Sequence, residues 1–155
     1  MGKPVNKTGK KTTWNGQQYD SQFEAEVAKA LSHRVVYCGG DYRENPNFVA
    51  IKHIGSEGET RFYVPDFRVV GSASTFCEAK GNLCRRSRQH LEAAVKAGHK
   101  VGVVFINESA ANQGIWPKAE VTKAAWLESR GIPYVFGADQ ALKLLEVLTS
   151  VEMQP

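Results

Sequence analysis

Residues 101 to 106 read VGVVFI, an apolar run with no polar interruption. A strand with one face in water alternates apolar and polar residues, so this run suits a strand covered on both faces. The flanking segments fit that reading. Ser87 to about Ala97 has a helical pattern stopped by Gly98. Pro117 is placed to start a helix that ends at Gly131, and Ile132 to Phe136 reads as a short strand. Asp139 is placed to cap a last helix through about Leu148. Strand and helix alternate here, which predicts an α/β domain with a mixed central sheet flanked by helices.

The earlier half is less regular. Phe23, Val27, Ala30 and Leu31 form an apolar stripe on a helix from Ser21 to about Ser32. Gly39 and Gly40 mark a turn, and Tyr42 to Ile54 is strand-like but broken by Pro46, as in an irregular or edge segment. Two strands follow the turn at 56–59, about Arg61 to Val70 and Thr75 to Ala79, joined by Gly71-Ser72-Ala73-Ser74. A length of 155 residues suits one domain. The reading is a flexible basic segment over 1–20, with Trp14 docking on the body, and a single domain over 21–155.

The net charge is +4, from 20 basic and 16 acidic residues. Lys3, Lys7, Lys10 and Lys11 supply all of it, because the first 14 residues hold no acid. A second basic cluster, Lys80, Arg85, Arg86, Arg88, Lys96 and Lys100, faces Glu92 alone. Two such clusters suit a polyanion, most simply nucleic acid, although a Lys-rich terminus is also a common solvated tail. No apolar run approaches the roughly 20 residues of a membrane helix. The polar N-terminus has no apolar segment behind it, so no signal peptide is expected. Cys38, Cys77 and Cys84 form no CxxC pair and no Cys/His spacing. They read as reduced thiols of a cytoplasmic protein, not as a disulfide framework or a zinc site.

The chemistry concentrates in Tyr63 to Gly81, YVPDFRVVGSASTFCEAKG, where Asp66, Glu78 and Lys80 interrupt apolar strands. Glu78 and Lys80 lie two apart on a strand and so share a face, while Cys77 and Ala79 point the other way. If the two strands pair near their turn, Asp66 lies beside Glu78. Two carboxylates so close repel unless a cation sits between them. Oxygen ligands without His or Cys suit Mg²⁺ or Mn²⁺. With a lysine poised beside the metal, the set fits phosphodiester hydrolysis, and a surface ion pair of Lys80 with a carboxylate is the plainer alternative. Ser21-Gln22-Phe23-Glu24 reads as a capping box, in which Glu24 bonds back to the Ser21 N–H. A carboxylate one turn into that helix equally reaches a site on the sheet.

PDF followed, twelve positions after its Asp, by EAK resembles the PD-(D/E)xK nuclease superfamily. SQFEAEVAKAL, YVPDF, CEAKG, VGVVFIN and WLESRGIPYVF, in that order, resemble the phage endonuclease I family of Holliday junction resolvases, over roughly Ser21 to Phe136. The resemblance implies a restriction-endonuclease-like core and an active site of Glu24, Asp66, Glu78 and Lys80. It implies Mg²⁺, with Mn²⁺ as substitute, held by Asp66, Glu78 and the Ala79 backbone carbonyl, and Glu24 at a possible second metal. It implies a homodimer with exchanged N-terminal elements that cuts four-way and other branched DNA by paired nicks. Lys3, Lys7, Lys10 and Lys11, with Arg85, Arg86 and Arg88, are then the expected phosphate contacts. Val35 to Thr60 departs most from the family pattern. His90 and His99 read as surface or cap residues before they read as general bases. A restriction- or repair-type nuclease on the same core, and a non-catalytic branched-DNA-binding protein, remain the alternatives.

Overall fold

The structure, a computed structural model, describes residues 11–150. Strands β1 (Thr12–Trp14) and β2 (Gln17–Tyr19) form a hairpin turned by Asn15 and Gly16, with φ of 53° and 80°. Asn-Gly supplies the two positive φ values that a tight hairpin turn requires. This hairpin occupies ground the sequence reading gave to a flexible segment. Trp14 and Tyr19 anchor it to the core, as the docking of Trp14 anticipated. Lys3, Lys7 and Lys10 lie outside the described residues.

Helix α1 (Gln22–Leu31) starts where Ser21 Oγ accepts a 3.1 Å hydrogen bond from Glu24 N. It buries Ala25, Val27, Ala28 and Leu31. Then come β3 (Val35–Tyr37), β4 (Ile51–Ile54), β5 (Thr60–Tyr63), β6 (Phe67–Val69) and β7 (Thr75–Lys80). Helix α2 (Arg85–Lys96) and strand β8 (Lys100–Phe105) follow. The chain closes with α3 (Glu108–Ala111), α4 (Lys123–Ser129), β9 (Tyr134–Phe136) and α5 (Ala141–Thr149). The central sheet has five strands in the order β3-β6-β7-β8-β9. The β3–β6 and β6–β7 pairs are antiparallel, and the β7–β8 and β8–β9 pairs are parallel. The fold is therefore mixed α/β, with a mixed sheet between helices.

Two apolar cores flank this sheet. Cys77, Ala79 and Val104 pack with α1 and α5 on one side. Phe76, Val101, Val103 and Phe105 pack with α2, α3 and α4 on the other. This two-sided cover explains the uninterrupted apolar run in β8. Gly102 in β8 faces α5 so closely that an added methyl would lie 2.8 Å from Leu144 Cδ1 and 3.0 Å from Leu148 Cδ1. Gly102→Val is expected to cost about 1–3 kcal/mol by overpacking, read as a lower urea midpoint at unchanged slope.

Three elements differ from the sequence reading. The expected strand over 61–70 is two strands in different sheets, because Pro65 has no N–H for a ladder. β5 leaves with β4 as a separate two-stranded ribbon, and β6 joins the central sheet. Pro117 starts a turn, not a helix: Ala119 N donates to Trp116 O at 3.0 Å and Lys118 has φ 65°. Proline followed by a positive φ is a type II turn. α4 begins later, where Thr122 Oγ1 accepts from Ala125 N. Asp139 lies within a 3₁₀ turn, Ala138–Gln140, and does not cap α5.

Candidate active site

The site lies where β6 and β7 part. Their ladder ends at Phe67↔Cys77, because Pro65 turns the chain away. One step beyond, side chains replace the missing ladder bonds. Asp66 N donates to Glu78 Oε2 at 3.0 Å, and Ala79 N donates to Asp66 Oδ2 at 2.8 Å. The two carboxylates are thus locked to each other's strand. N–H and C=O of one strand residue point to the same neighbour. The Ala79 carbonyl therefore faces the fork on the Asp66 side.

Glu78 is buried, 2% exposed, on the α2 side of the sheet. Its Oε2 also accepts a very short hydrogen bond from Tyr63 OH. Its Oε1 lies 3.4 Å from Lys80 Nζ. The Lys80 side chain is 25% exposed and points into the same cleft. Burial opposes the Lys80 charge, but Glu78 and Asp66 outweigh it and raise its pKa. The Asp66 pKa is raised well above the usual carboxylate range, first by burial, then by Glu78 and Glu24. The Asp66 Oδ1 atom takes no hydrogen bond among the described residues.

Glu24 reaches the fork from α1, on the opposite face of the sheet. It is half of a capping box, shifted by one residue: Oε1 accepts from Asp20 N at 3.2 Å and from Tyr37 OH at 3.0 Å. Its pKa is pushed up to about 7 by burial, then by Asp20 and Glu78, with the Tyr37 and Asp20 hydrogen bonds pulling it back. Capping and membership of the acidic cluster are therefore compatible. Three carboxylates around one lysine leave a negative excess that favours a cation. Among the described residues no three Asp, Glu, His or Cys side chains form a cation cage. The oxygens that could hold a cation are those of Asp66 and Glu78 and the Ala79 carbonyl, with Glu24 behind. An open all-oxygen set of this kind suits Mg²⁺, which keeps several of its waters.

The cleft over this fork is about 550 Å³ and includes Arg61, Tyr63, Arg86 and His90 in its wall. Arg86 is exposed at this wall, and Arg85 is also exposed, on the neighbouring side of α2. Arg88 is a different kind of residue. It is 8% exposed and donates from Nη1 to Leu83 O at 3.0 Å, bracing the loop after β7. Lys11 forms a 3.2 Å surface ion pair with Asp20. His99 caps the far end of α2, donating its N–H to Ala94 O, away from the fork.

Sequence reasoning passed over the aromatic supports. Tyr63 and Tyr37 read as strand residues, yet their hydroxyls hold Glu78 and Glu24. His90 stacks on the Tyr63 ring at 5.5 Å and lies 3.0 Å, nitrogen to nitrogen, from His53. Burial, then His53, lower its pKa to about 4, so the ring stays neutral. Only the strand–helix register brings these rings together. No protein-family model, curated protein or solved structure matches this chain.

Proposed function

We propose that the protein is a metal-dependent endonuclease that hydrolyses phosphodiester bonds in branched DNA, four-way junctions above all. The observation that carries the reading is the fork itself. Asp66 and Glu78 are cross-locked through each other's strands, with Lys80 3.4 Å from Glu78. A surface ion pair has no need of a carboxylate buried in the sheet, and burying one is costly without a role for it.

Asp66, Glu78 and the Ala79 carbonyl would hold the ion, with Glu24 supporting it from α1. Mg²⁺ there supplies charge neutralisation at the phosphate and a more acidic water. Lys80 Nζ donates to the attacking water or to a phosphoryl oxygen on which negative charge develops. Arg86 binds a neighbouring phosphate at the mouth of the cleft. Water oxygen forms the new P–O bond and gives up a proton to solvent, the strand's ester P–O bond breaks, and the leaving oxygen takes a proton from solvent.

Two active sites in a homodimer would cut two strands by paired nicks. The β4–β5 ribbon leaves Ile54 and Phe62 exposed, at 61% and 56%, which suits contact with a second subunit. A monomeric mass at micromolar concentration would contradict the dimer. Among the described residues no helix is long and apolar enough to cross a membrane.

The test is to incubate the protein with a labelled four-way junction, with Mg²⁺, with Mn²⁺, and with a chelator. Nicks in both metals and none with the chelator are expected. Junction binding without nicks in either metal would make it a branched-DNA-binding protein instead.

A further inference from the structure

We propose that the loop between α3 and α4 builds a second DNA site, a pocket for one unpaired nucleotide of the strand held in the catalytic cleft. It rests on the DNA-binding part of the reading above and not on cleavage. In this pocket the base lies against Trp116 and its phosphate sits between Arg85 and Lys118, with the buried charge of Arg88 behind them.

A cleft of about 800 Å³ lies on the other side of the α2 N-terminus from the fork, and Arg85, Arg88, Trp116, Lys118 and Lys123 all line it. No carboxylate lines it. Among the described residues none of the four cations forms an ion pair with an acid. Lys123 is the clearest sign of unbalanced charge. It is 6% exposed, and its ammonium meets only neutral amide oxygens, Asn82 Oδ1 at 2.6 Å and Gln113 Oε1 at 2.7 Å. Burial, then Arg88, lower its pKa. A wall with four cations and no carboxylate is stabilised by an anion.

Trp116 gives the pocket a preference for a base. The side chain is 60% exposed and makes no ring contact with another aromatic among the described residues. Its exposure does not reflect a loose loop. Ile115 N donates to Val121 O at 3.0 Å, Ala119 N to Trp116 O at 3.0 Å, and Lys123 N to Gln113 O at 2.8 Å. Gly114 admits the fold, since a methyl there would lie 2.9 Å from Trp116 O. Lys118 is held at φ 65°, a conformation that disfavours any residue with a side chain. A tight, strained turn that presents an indole to water beside four cations matches single-strand recognition, in which bases stack on aromatics and cations track phosphates. The connection to the fork is short. Gly81 to Cys84 runs directly from Lys80 to α2, and Arg86 faces one cleft while Arg85 and Arg88 line the other.

The experiment measures binding of the full chain, in chelator, to labelled octathymidylate and to an abasic strand with the same number of phosphates. Base–aromatic stacking of this kind is expected to favour octathymidylate by about tenfold. Trp116→Ala should erase that preference and leave the abasic affinity unchanged, while Trp116→Phe should retain most of it. Lys118→Gln should weaken both ligands equally and reduce the salt slope by about one. Equal affinity of the unaltered protein for the two strands, or a preference that survives Trp116→Ala, would overturn the pocket. Junction cleavage by the same preparations in Mg²⁺ is scored separately. Cleavage without base preference removes the pocket alone, and base preference without cleavage removes the nuclease reading alone.

Discussion

Glu78→Gln is expected to slow junction cleavage by about 1,000-fold or more and to leave junction affinity nearly unchanged. The side chain is buried, so the replacement must fit the same space, and Gln has the same shape as Glu. With its oxygen in the place of Oε2 it still accepts from both Asp66 N and Tyr63 OH, and its amide nitrogen takes the place of the oxygen that faces Lys80. The scaffold of the fork is thereby preserved while the charge that would hold a divalent cation is lost. Affinity for DNA comes from cations such as Arg86, which the change does not touch. Single-turnover cleavage in Mg²⁺ and a gel shift in chelator measure the two quantities. Asp66→Asn should behave in the same way, except that its Oδ2 must still accept from Ala79 N. Retained cleavage in either variant would place the chemistry elsewhere.

Glu24→Gln is expected to stabilise the metal-free protein at alkaline pH while reducing cleavage. Folding raises the Glu24 pKa from an ordinary 4.5 to about 7. The folded state then holds its proton more tightly than the unfolded chain. Stability falls as pH rises between those two values and stays lost above them. Asp66 contributes with the same sign, because its pKa is also raised. His90 has the opposite sign: its pKa falls from 6.5 to about 4, so stability falls as pH drops through that range. Gln at position 24 keeps the oxygen that Tyr37 OH and Asp20 N bond to, and removes the repulsion with Asp20 and Glu78. Discounted for partial exposure, the gain is about 1–2 kcal/mol near pH 8, or roughly 5 °C in thermal midpoint, and is absent near pH 5. Divalent metal should raise the midpoint of the unaltered protein at the same alkaline pH. A destabilised Glu24→Gln protein at pH 8 would show that the residue is chiefly a helix cap.

The charged cluster of the fork was legible in the sequence because charged residues inside apolar strands stand out. Asp66, Glu78 and Lys80 meet as their spacing suggested. The α/β class was legible from the unbroken apolar run of β8, which both helical layers cover. Other features depended on tertiary context. Asn15-Gly16 is a strong hairpin signal, but a Lys-rich background masked it. Pro117 suits a helix start and a type II turn equally, and the Gln113–Lys123 backbone bond decides between them. Arg88 differs from Arg85 and Arg86 only in its place on α2, which turns it inward to Leu83. The hydroxyls of Tyr37 and Tyr63 gave no signal, since tyrosine in a strand reads as packing.

The most direct measurement is the cleavage rate of a four-way junction against a linear duplex of the same arm sequence, each in Mg²⁺ and in chelator. A structure-selective nuclease cuts the junction far faster than the duplex and cuts neither in chelator. Equal rates on the two substrates in Mg²⁺ would contradict junction selectivity, and equal rates with and without metal would contradict the metal site at the fork.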